Sequence, residues 1–129
     1  MQVIPWASAI AVLAVLGPAR AAVTEQNFVL RDTGDLVALC SASQSDPLYT
    51  AAINFCHGFA VGVFRVVHEE DAARRSGKII CLPNPPPSRN QALAAFVQWA
   101  NADPSRLSQP ADDGLAGFLS QQYPCGRLR

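Results

Sequence analysis

Four cysteines and two histidines are the residues of this 129-residue chain best suited to chemistry, and their spacing limits what that chemistry can be. Cys40, Cys56, Cys81 and Cys125 include no Cys-x-x-Cys pair, the spacing used by zinc ribbons, thiol redox motifs and c-type haem attachment. Cys56-His57 has the ending of a haem motif, but Ile53 stands where its first cysteine would be needed, which excludes covalent haem. His57 and His68 fall on one predicted helix, eleven residues and roughly 16 Å apart at the helical rise, too far to share a metal ion. No metal and no other cofactor is expected.

A nucleophile is equally hard to find. There is no Gly-x-Ser-x-Gly elbow, and with the cysteines oxidised no serine or cysteine has a persuasive base partner. The run His68-Glu69-Glu70-Asp71 closes a long amphipathic pattern, where charges read as a solvated face and not as an acid/base cluster. His57 reads as a partly exposed helix-surface residue, with an interface role as the sharper alternative. The chain is expected to be no enzyme.

The cysteines therefore read as braces, and the start of the chain supports this. Residues 1–21 resemble a cleavable secretory signal: a largely apolar run from Ala7 to Leu16, then Ala19-Arg20-Ala21 with small residues where a signal peptidase reads. Cleavage is expected after Ala21. A membrane anchor is the rival reading, but ten residues fall short of the ~20 needed to span a bilayer, and no other segment reads as long enough. An even cysteine count in a short exported chain points to two disulfides, because oxidation favours them and a small core benefits from them. Three pairings are open. Cys40 with Cys56 is preferred, since both fall on apolar stripes of consecutive helices. That leaves Cys81 with Cys125, tying a loop to the end of the last helix.

Half of the chain is hydrophobic, so residues 22–129 are expected to form one folded domain. Without Arg20 they carry one more acidic than basic side chain, which argues against nucleic acid or an anionic membrane surface as a partner.

The elements that must position these residues are helical throughout, four or five in number. Residues 22–30 show little periodicity and read as a tether or extended lead-in. Thr33 reads as an N-cap, with Asp35 in the first turn and Leu36, Val37 and Cys40 on the inner side. Asp46-Pro47 starts the longest helix, which runs to about Arg75. Its apolar face is Leu48, Ala52, Phe55, Cys56, Phe59, Val63, Val66 and Val67. Ser88 and Gln91 form a capping-box pattern that opens a third helix, and Ser108 to Pro110 opens the last, with Leu115, Phe118, Leu119 and Tyr123 inward.

Two features of this frame ask for an explanation. Gly58 and Gly62 sit four apart in the longest helix, each at a cost of ~1 kcal/mol relative to alanine, and close packing against another backbone would compensate. Pro83-Asn84-Pro85-Pro86-Pro87 is a stiff polyproline-type segment, either a rigid connector or a preformed recognition ridge that loses little entropy on docking.

In order along the chain stand Thr33-Gly34-Asp35-Leu36 before Cys40, Phe55-Cys56-His57-Gly58-Phe59 with Gly62, Cys81-Leu82-Pro83, and Tyr123-Pro124-Cys125. This ordered set resembles the Rap and Tai immunity proteins of bacterial type VI secretion, from about Phe28 to Cys125. The chain departs from the family in having Phe59 where tyrosine is common, and in the length of the Pro85-Pro86-Pro87 run. The resemblance implies a periplasmic protein that binds a cognate toxin, often a peptidoglycan amidase, and covers its active site; related members form homodimers. A small acid-protective chaperone of the periplasm, also helical and disulfide-braced, is the second reading.

Overall fold

The structure, a computed structural model, describes residues 21–126. The expected signal segment falls almost wholly outside the described residues. Among them the elements are a five-residue 3-10 turn at Glu25–Val29 and helices α1 (Thr33–Cys40), α2 (Tyr49–Ala72), α3 (Arg89–Asn101), α4 (Pro104–Leu107) and α5 (Ala111–Gln122). The fold is all-α, as expected.

The lead-in differs from the tether expected of it. Val23 is buried, and its backbone N–H donates to the Asp46 carboxylate at 2.8 Å, which pins the start of the domain to the loop before α2. Asp46 spends its other oxygen on the Leu48 N–H, and α2 begins only at Tyr49. Thr33 likewise is not the N-cap. Asp32 is, accepting the Asp35 N–H at 2.9 Å, while Thr33 lies fully buried in the first turn. The capping box of α3 forms as its sequence suggests, with Ser88 and Gln91 each accepting the other's backbone N–H.

α1 is the central element, touching the 3-10 turn and each of the other helices. Leu36 and Leu39 are fully enclosed, and around them close Ala52 and Cys56 from α2, Phe96 and Ala100 from α3, and Phe118 from α5. Phe118 meets Phe96, Trp99 and Tyr123 edge-to-face with centroids 5.7 to 6.0 Å apart. At the rim of this core the Arg31 guanidinium grips the buried Asp35 through two hydrogen bonds, and Asn27 adds a third. The Arg31 hydrogen bond, more than offsetting burial, holds the Asp35 carboxyl below the usual carboxylate range.

The close helix crossing anticipated at Gly58 and Gly62 occurs elsewhere. A Cβ built on Gly114 of α5 would overlap the Thr33 side chain, with Cγ2 at 2.9 Å, while Thr33 Oγ1 donates toward the Gln109 and Pro110 carbonyls. Gly114 is the residue that lets the start of α5 close onto the start of α1.

Candidate functional site

The proline segment is held at both ends. Ser76-Gly77 turns the chain after α2, with Gly77 at φ +91°, a left-handed conformation that glycine takes without strain. The following residues pair with the end of α5: the Cys81 N–H donates to the Tyr123 carbonyl at 2.8 Å, and the Cys125 N–H to the Ile79 carbonyl at 3.0 Å. The disulfide Cys81–Cys125 locks this short ladder, and Cys40–Cys56 joins α1 to α2. From Cys81 the chain runs directly into exposed Pro83, Asn84, Pro85 and Pro86, with Pro87 half-buried against the body of the fold. The Asn84–Pro85 peptide is cis.

Asp71 is the residue the sequence reading misplaced. It is buried, not part of a solvated charge run, and its two oxygens accept the N–H groups of Ile79 and Ile80 at 2.8 and 3.1 Å. The Ile79 hydrogen bond, joined by that of Ile80, holds its carboxyl below the usual range against the effect of burial. Its neighbours His68, Glu69 and Glu70 are exposed, with the His68 ring against Phe64. Nothing gathers His57, His68 and these carboxylates into one site, and among the described residues no cluster of three or more His, Cys, Asp or Glu could hold a metal.

α2 is covered along a narrow stripe of small residues, Ala52, Cys56 and Ala60. Gly58 and Gly62 stand two positions on, which at about 100° per residue puts them on the far side, and nothing approaches within 4 Å of a Cβ built on either. The expectation that they pack against another backbone is therefore corrected: they face open space. Val66, expected inward, is 56% exposed. α2 is also long and apolar enough to cross a membrane by length and composition, contrary to the expectation that no segment beyond residues 1–21 is. Its disulfide and its buried stripe tie it into the helical fold.

Two grooves flank the uncovered side of α2. One, of about 430 Å³, is walled by Phe64, Leu93, Leu115, Phe118, Leu119 and Tyr123, edged by Leu82 and Pro87 of the proline segment, and bordered by Arg65 and Arg89. The other, of about 520 Å³, lies over Phe59, Val63, Val66 and Val67 and is bordered by Glu70, Asp112 and Asp113. The surface thus offers a rigid ridge beside a basic apolar trough, with an acidic one across the helix. Such a surface suits recognition of another macromolecule.

No curated protein and no solved structure matches the chain. The sequence pattern of the Rap1a immunity proteins matches residues 32–125, from the N-cap of α1 to the last disulfide cysteine. That span takes in all five helices, both disulfides and the proline segment, and the chain belongs to the Rap1a immunity protein family.

Proposed function

We propose that this immunity protein is exported to the periplasm, its leader removed near Ala21, and that residues 22–129 there bind a cognate type VI secretion effector. The effector is a peptidoglycan amidase, and inhibition is by occlusion: the chain covers the active-site cleft and performs no chemistry. The family match over residues 32–125 carries this reading. It is supported by a proline segment anchored by the Cys81–Cys125 bridge, because a ridge already rigid before contact sacrifices little entropy in docking. An interface of standard size, ~800 Å² per partner, is enough to close a catalytic cleft.

The test is capture and rescue. Mature protein retrieved from the periplasm should bring with it a wall-degrading enzyme, and the purified pair should show that enzyme's hydrolysis of peptidoglycan suppressed at equimolar ratio. Expression with the leader should protect cells exporting the enzyme, and expression without it should not. An enzyme that binds but keeps full activity, or protection independent of the leader, would refute the proposal.

A further inference from the structure

The groove between α2, α3 and α5 is opposite in charge to the groove across α2. Arg65 and Arg89 border it and no carboxylate lines it. Two other arginines of the fold are engaged: Arg31 with Asp35, and Arg106 with Asp103 and the face of Trp99. Among the described residues Arg65 and Arg89 form no ion pair, and the Tyr123 hydroxyl at the same groove has no hydrogen-bond partner. Three polar groups thus stand unspent around an apolar floor of Leu93, Leu115 and Phe118.

We infer that this groove receives a segment of the effector whose apolar side chains fill the trough and whose flanking carboxylates meet Arg65 and Arg89. The inference rests on the proposed function and names the part of the partner that the site reads. Charge complementarity chooses the occupant: a guanidinium pairs with a carboxylate in a two-pronged geometry, and two of them reject a basic segment. The trough is open along one side, so its occupant keeps a face outward, as a stretch of a larger chain does. Leu82 and Pro87 make the groove continuous with the proline ridge, so a single partner can touch both. The opposite groove, with Glu70, Asp112 and Asp113 and no cation, would repel the same segment and serves as an internal control.

The experiment uses the oxidised mature protein and two synthetic hexapeptides of leucine and phenylalanine, one bearing two glutamates and the other two lysines in their place. By fluorescence anisotropy at low salt the glutamate peptide should bind at least about tenfold tighter than its lysine twin. The charge swap Arg65→Glu with Arg89→Glu should reverse the order; both side chains are exposed, so the fold is kept. Ala92→Trp, which fills the groove, should weaken the glutamate peptide, and Val66→Trp on the other flank should leave its binding unchanged. Resonances of Phe118 and Tyr123 should shift on titration. Equal affinity for the two peptides, no binding of either, or binding that survives Ala92→Trp would overturn the inference. So would saturable uptake of dodecanoate in place of peptide, or a dimer that dissociates on the charge swap, because a lipid or a second copy would then own the groove. An effector that binds wild type and the charge swap equally well would sink the groove and leave the function standing. Failure to capture any effector would sink the function, while the peptide titrations read the groove independently.

Discussion

The Asp71 carboxylate accepts the Ile79 N–H at 2.8 Å, and through this contact the last turn of α2 sets the path of the chain toward Cys81 and the proline segment. A charged group from the end of one helix thereby does what a longer β-ladder would otherwise do. Asp71→Asn leaves one acceptor oxygen for two backbone donors. Hydrogen exchange at Ile79 and Ile80 should accelerate at least about tenfold, while the amides of Leu36 and Leu39 stay protected, because only the local opening energy changes.

The same carboxylate, with Asp35, sets the acid response. Both have folded-state pKa values below their unfolded values, Asp35 through the Arg31 hydrogen bond and Asp71 through the Ile79 N–H. Their stabilisation is fully present above the unfolded value of about 3.9 and is lost as pH falls through the lower folded values. Urea midpoints measured from pH 6 to pH 2 should decline mainly below pH 4. In a variant with Asp35→Asn and Asp71→Asn the decline should be shallower and start from a lower plateau.

Glycine substitutions should divide by helix. Gly114→Ala forces a methyl group into the Thr33 side chain and should cost about 1–3 kcal/mol of stability. Gly58→Ala and Gly62→Ala enter open space and should each stabilise the isolated protein by up to about 1 kcal/mol. Chemical denaturation of the three variants decides this, and a destabilised Gly62→Ala would mean that α2 is covered in solution.

The two disulfides should open in a fixed order. Cys81 is exposed, whereas Cys56 is fully buried, so a thiol reductant reaches the Cys81–Cys125 bridge first. Alkylation and mass analysis during limited reduction should show Cys81 and Cys125 modified before Cys40 and Cys56. Replacing Cys81 and Cys125 by serine should cost about 4 kcal/mol on the chain-entropy account, given their separation of 44 residues.

Features encoded within a few residues were legible in the sequence. The Ser88–Gln91 capping box follows from local backbone chemistry and appears where expected. Features that depend on a distant partner were not. Asp71 sits in a charge run and reads as solvated until Ile79 and Ile80 return to it across a turn. Val23 looks unstructured until Asp46 takes its N–H. Periodicity identified an apolar stripe on α2 but not which part of it the fold would cover; the small residues Ala52, Cys56 and Ala60 went inward, and Gly58, Gly62 and Val66 stayed out. The trough between Arg65 and Arg89 joins residues from α2, α3 and α5 to the loop between α2 and α3, a juxtaposition that only the tertiary fold creates.

Four of the five residues at positions 83–87 are proline, and this gives the ridge a one-sided hydrogen-bonding character. It presents carbonyl acceptors but, apart from Asn84, no main-chain donor. A partner cannot zip onto it as an added β-strand, since strand addition needs both. Whatever meets the ridge must bring its own N–H and O–H groups, and a surface rich in carbonyl or carboxylate oxygen finds nothing there to bind except the Asn84 amides.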